Sequence, residues 1–372
     1  MIARFCLLRI FSSIIFFSFL FSIVMLNGAE VFSQNICAYV DYKNYFYAFD
    51  DGASKQLEFN PIQQYKIGGN AIVYVDYSGT VKVYYNGETN DLRIQSPKEI
   101  IATDDLIFIY SAGVLKVFDQ GDVEVASPNT NSYFPGDSLI GFFDNNTYAL
   151  KVYYKKEVSS LEDYIGGGGG RAVAGDNILA WVNKEDHFKV FWQGETYELE
   201  STPPDNFRAA MNTLAYIDKF TQAFKVFYKG KTVQLESYRP KHFQVGDNMV
   251  VYVDNTGHFK IFYDGATWDA SAFEPPFYKV EDNILVFGDY QHFMVFYKGK
   301  TYQLESYAPT SYKVDYSTVA YVDRDGYLKV FQDGLQQKVS EEKINSFELS
   351  RNILRFTTGL DQNNFFSRGK TY

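Results

Sequence analysis

Phe224-Lys225-Val226-Phe227-Tyr228-Lys229-Gly230-Lys231-Thr232-Val233-Gln234-Leu235-Glu236-Ser237 returns, little changed, as Phe293-Met294-Val295-Phe296-Tyr297-Lys298-Gly299-Lys300-Thr301-Tyr302-Gln303-Leu304-Glu305-Ser306. Aligned on the Lys-Val step, weaker copies put Lys82, Lys116, Lys151, Lys189, Lys260 and Lys329 in the same place, with Met294 in one copy. Tyr47 and Asn364 extend the series to both ends, which makes ten copies. Their spacing runs from 34 residues (Lys82 to Lys116) to 38 (Lys151 to Lys189). A fixed period of this length marks a chain built from stacked supersecondary units.

The seventh copy shows what one unit is. Phe243-Gln244-Val245 reads as a first strand, A, and Gly246-Asp247-Asn248 as a tight turn, since these residues accept positive φ. Met249 to Val253 is strand B, Asp254-Asn255-Thr256-Gly257 a second turn, and Phe259 to Tyr263 strand C. Asp264-Gly265 turns the chain into strand D, Thr267 to Ala270. Strands B and C are nearly continuous apolar runs, as in Ile72-Val73-Tyr74-Val75, and a strand wet on one side would alternate. Both faces are therefore covered, as when small sheets stack around a ring. The expectation is an all-β chain with no helix, a β-propeller of nine or ten short blades with a period of about 35 residues. An open toroid or solenoid of the same hairpins is the alternative, and ring closure decides between them.

The ends and the composition set the context. Arg4 and Arg9 followed by the apolar run Ile10 to Leu26 read as an export signal, with cleavage after Ser33 or, alternatively, Ala29. Residues 34–372 then form a single repeat domain with no membrane span, periplasmic, on the outer surface or extracellular, in a bacterial setting. Cys37 alone remains after cleavage, so no intrachain disulfide forms. A net charge of −10 argues against nucleic acid. Five consecutive glycines, Gly166 to Gly170, form a loop between the fourth and fifth units, with neither the lysine nor the helix of a phosphate-binding loop.

Residues able to carry chemistry are explained by turns. An aspartate ends strand B as Asp76, Asp144, Asp218, Asp254, Asp289 and Asp323, suited to accept backbone N–H groups in the next turn and to meet the strand C lysine across the hairpin. His187, His258 and His292 share one repeat position, but equivalent loops on stacked sheets stand about 10 Å apart, too far to share a metal. No nucleophile elbow, zinc motif or distinctive carboxylate pair occurs, and no cofactor, metal or catalytic residue is assigned.

What differs between copies lies in the interblade D–A loops, which share one face with the B–C turns. Pro203, Pro204, Tyr238, Arg239, His242, Pro275, Pro276, Phe277 and Tyr307 are the candidate partner-binding residues, because binding concentrates on loops held by a rigid scaffold. The prolines have an equal claim to stiffening the crossings between blades. Copies such as Val319-Ala320-Tyr321-Val322-Asp323-Arg324-Asp325-Gly326-Tyr327-Leu328-Lys329-Val330-Phe331 resemble the repeats of PQQ-like and TolB-like bacterial propellers, which are WD40-like in fold. The resemblance implies a propeller in an envelope setting. Blade-locking tryptophans are missing, so no cofactor or activity carries over. The expected function is a non-catalytic, exported binding or scaffold module for a protein or cell-surface partner. A glycan-binding or carbohydrate-active propeller is the alternative, and it requires exposed aromatics beside acids in one concave pocket.

Overall fold

A computed structural model describes residues 36–163, 171–359 and 362–372; the expected export segment and the glycine run lie outside them. Ten antiparallel sheets follow one another along the chain, and no helix occurs among the described residues. Nine sheets have four strands in sequential order, and the first has three, corresponding to B, C and D. In the seventh blade the strands are His242–Gly246, Met249–Val253, Phe259–Tyr263 and Ala266–Ser271, within a residue or two of the bounds expected.

Strands B and C bury both faces. Met249–Val253 is buried at every position, whereas strand D of the sixth blade, Lys231–Glu236, is exposed over its first four residues. The A strands of successive blades adjoin, so A lines the centre of the ring and D its rim. Apolar clusters lie between blades rather than within them: Ala215, Ile217, Phe224 and Val226 of the sixth pack on Val250, Tyr252 and Phe262 of the seventh. Such burial contributes about 2 kcal/mol per large side chain, which is why neither face can be polar.

A polar clasp runs through these seams. Lys260 Nζ lies 2.7 Å from Glu236 of the preceding blade and 3.1 Å from Asp254, while Tyr252 donates its hydroxyl to the same glutamate at 3.1 Å. Lys82 with Glu58 and Asp76, Lys225 with Glu200 and Asp218, and Lys329 with Glu305 and Asp323 repeat it. Asp254 also makes the expected turn, its Oδ1 accepting the N–H groups of Thr256, Gly257 and His258 at 2.8–2.9 Å. Turn-making and charge pairing are thus two jobs of one carboxylate. The glutamate is delivered by a bulge: Phe224 aligns with Glu236 and Lys225 with Gln234, a shift that recurs in most blades and re-aims the end of strand D. Where the seventh blade ends in Ser271 in place of glutamate, the next blade carries Met294 in place of lysine.

The first and tenth blades meet. Phe365 of the tenth blade stacks on Phe49 of the first at 4.2 Å, with Cys37, Tyr39 and Ile353 completing an apolar cluster. Arg368 adds an ion pair to Asp51 at 3.2 Å. The ring is closed and has ten blades, which removes the open solenoid.

Candidate functional site

Backbone bonds sort the loops onto two faces. Ser96, in a D–A loop, donates its N–H to Gly79 of a B–C turn at 2.8 Å, and Thr130 does the same to Gly113. The A–B and C–D turns meet on the opposite face, where Asp264 donates to the Asn248 carbonyl at 3.0 Å.

The B–C and D–A face carries the apolar surface. Of the ten aromatic side chains exposed among the described residues, eight lie there: Tyr42, Phe59, Tyr77, Tyr148, Phe220, Tyr238, Phe273 and Tyr290, with exposures from 57% to 89%. Four of them, Phe220, Tyr238, Phe273 and Tyr290, fall on blades six to eight and the loops between them. Phe273 and Tyr290 meet edge to face at 6.0 Å. In the ninth blade the Arg324 guanidinium sits 4.1 Å over the ring of Tyr307.

The candidate loop residues divide. Tyr238, Arg239, His242 and Pro276 are exposed; Arg239 pairs with Asp205 at 3.5 Å and His242 with Glu274 at 3.1 Å. Pro204 and Pro275 are buried, and the Pro204 carbonyl accepts the Arg171 guanidinium at 3.0 Å, so these two stiffen the crossing. Phe277 packs with Phe293 and Tyr312 in an interblade cluster and belongs to the core. Pro203 and Tyr307 are half-buried. His187 and His258 stay on their own hairpins, against Glu198 at 3.1 Å and Asp254 at 3.7 Å.

The opposite face holds a feature not anticipated from sequence. The A–B turns follow the A strands that adjoin at the ring centre, and the second residue of each, in successive blades from the second, is Gly69, Asp104, Asp137, Asp176, Met211, Asp247, Asp282, Tyr316 and Arg351. The turns are stitched together: Asp137 Oδ1 accepts the Asp104 N–H at 3.1 Å, Asp176 Oδ2 the Met211 N–H at 3.1 Å, and the Asp282 carbonyl the Asp247 N–H at 2.6 Å. Beside them Asn177, Asn212 and Asn248 form an amide ladder at 2.8 and 3.1 Å. A side chain at Gly136 would collide with the Gly175 carbonyl, so the closest turns require glycine. Burial and then neighbouring carboxylates push Asp137 and Asp176 up to about 8 and Asp282 to about 7. Burial also lifts Asp247 to about 6, although its hydrogen bond to Asp176 acts the other way. Arg351 reaches across from the tenth blade to pair with Asp104 of the third. The sequence signal was the recurring Gly-Asp-Asn at 175–177 and 246–248, which a turn explains fully when each blade is read alone.

Two clefts lie elsewhere. One of about 240 Å³ is lined by Arg93, Gln95, Ser111 and Lys116, and one of about 410 Å³ by Lys343, Phe347 and Val322; no carboxylate lines either.

Among solved structures, the chain is similar to the computationally designed Ika8 protein at 15% identity over 83% of this chain and 97% of that one, with a TM-score of 0.35. It is similar to the CRINKLY WD40 ectodomain of the Arabidopsis thaliana receptor kinase ACR4 at 8% identity, 63% and 93% coverage and a TM-score of 0.35. Hsv2 of Kluyvelomyces marxianus is similar at 10% identity, 76% and 99% coverage and a TM-score of 0.32. No curated protein matches the chain. The family described as the 10-bladed beta propeller domain matches residues 30–372, and with ten sheets closed by Phe49 and Phe365 the chain belongs to that family.

Proposed function

We propose that this propeller is an exported, non-catalytic binding module that takes a protein partner on its B–C and D–A loop face. The observation that carries this reading is the segregation of exposed aromatics: eight of ten on one face, four of them on blades six to eight and the loops between them. Aromatic side chains bring large area at small entropic cost, and with arginine they dominate protein interfaces. Tyr238, Phe273 and Tyr290 would be the anchors, with Arg239 and Arg324 at the edge. Export rests on the Arg4, Arg9 and Ile10–Leu26 pattern, and sequencing the N-terminus of the mature protein tests it.

The test is capture of a partner from the native envelope fraction by the immobilised protein, set against a Tyr238→Ala, Phe273→Ala, Tyr290→Ala triple variant. Loss of about 1–2 kcal/mol per anchor is expected, which abolishes capture. Equal capture by the triple variant, or hits on a glycan array with no protein captured, overturns the reading.

A further inference from the structure

The A–B mouth carries more carboxyl groups than its turns need. Met211, Gly69 and Tyr316 fill the same turn position as its aspartates, so the turn itself does not demand an acid there. Against Asp104, Asp137, Asp176, Asp247 and Asp282, flanked by Asp105 and Asp315, one guanidinium stands among the described residues, and Asp104 takes it. On strand A of the eighth blade, Lys279 is spent on Glu281 at 2.8 Å. Tyr316 faces the same centre and lies under the Arg351 guanidinium at 5.2 Å. A second observation is independent of the charge count. Asp247 is only 7% exposed, and its Oδ1 is buried without any hydrogen-bond partner, while the side chain also bonds to Asp176. A buried acceptor left bare is costly, so a donor brought to it is rewarded.

Chemistry narrows the occupant. No three acidic or ligating side chains among the described residues are grouped to hold a metal ion. Carboxylates spread over several blades suit a cation that presents several N–H donors in different directions, as guanidinium does. We propose that the mouth binds an organic cation, a guanidinium or primary ammonium group, between Asp176, Asp247 and Asp282. This inference does not rest on the reading of the opposite face.

Protons compete for the same carboxylates, since Asp137, Asp176 and Asp282 are held well above the usual carboxylate range by burial and by one another. Binding therefore strengthens as pH rises and releases protons. Calorimetry with agmatine should show affinity rising at least about tenfold between roughly pH 5 and pH 8.5, with proton release detected from buffers of different ionisation heat. A pentapeptide with one central arginine separates the two sources. Heat with both probes assigns a guanidinium carried on a chain, and heat with agmatine alone assigns a free small cation. Asp247→Asn should cost about tenfold in affinity. Met211→Arg gives a gain that does not depend on a damaged variant, because the Met211 N–H already sits on Asp176. It should raise the melting temperature at the higher pH relative to the lower one and abolish agmatine binding. Absence of heat with both probes at the higher pH, tighter binding of calcium ion alone, or a Met211→Arg protein that binds agmatine like the parent overturns the proposal.

Discussion

Asp247 and Asp254 flank one strand, Met249–Val253, and their surroundings drive them in opposite directions. Both lose solvent. Asp254 recovers more than it loses from Thr256, backbone N–H groups and Lys260, and its carboxyl is held down. Asp218 behaves alike, kept at about 2 by Lys225 and the turn against the pull of burial. Asp247 and Asp176 face other carboxylates and rise to about 6 and 8. The signs follow from linkage. A depressed carboxyl stabilises the fold above its unfolded value and loses that contribution as pH falls through the folded value. A raised one stabilises only the protonated state, so its contribution is complete below the unfolded value and is lost as pH rises through about 6 to 8. Thermal melts should peak near about pH 5 and fall by on the order of 2 kcal/mol toward about pH 8.5. Asp176→Asn should flatten that alkaline limb, and Asp218→Asn the acid one; a stability maximum above neutral pH would contradict the burial of the mouth carboxylates.

At the scale of the element, the blade seam is the unit of stability. Lys260→Met strands Glu236 and Asp254 without their cation. Breaking a fully buried pair costs about 3–5 kcal/mol, and with Lys260 and Glu236 about a fifth exposed, about 2 kcal/mol is expected in urea unfolding. The chain already contains the compensated version, Ser271 opposite Met294, with Ser271 Oγ 3.2 Å from Asp289 Oδ1. Ser271→Glu alone should therefore destabilise by about 1–3 kcal/mol, as a carboxylate buried without its partner. Adding Met294→Lys should recover that loss, because Asp289 is already in place to receive the ammonium; a double variant no more stable than the single one would remove the clasp from the account. The glutamate of this clasp was in plain sight as the Leu-Glu ending strand D. Its role stayed hidden because its partner lies 24 residues further on, at a distance no hairpin pairing reaches.

For the whole molecule, stability depends on one junction the repeat does not supply. Phe365 and Phe49 come from opposite ends of the sequence, and Phe365→Ala opens a cavity worth about 3 kcal/mol. Hydrogen exchange should then accelerate first in blades one and ten, whereas uniform acceleration would mean that the seam is no weaker than the others. Strand positions, turn types and the pairing of B–C with D–A loops on one face were all legible from the repeated stretch around Phe224-Lys225-Val226, because each is set by neighbours within some 35 residues. Tyr238, exposed, and Phe277, half-buried, look alike in sequence; both are loop aromatics, and only packing against Phe293 and Tyr312 separates them. The choice between nine and ten blades, ring closure and the acidic mouth were decided by tertiary structure alone. The wedge that each blade contributes must sum to a full turn before Phe365 can reach Phe49. Only that closure brings aspartates from separate turns, each adequate to its own hairpin, to bear on one another around a common centre.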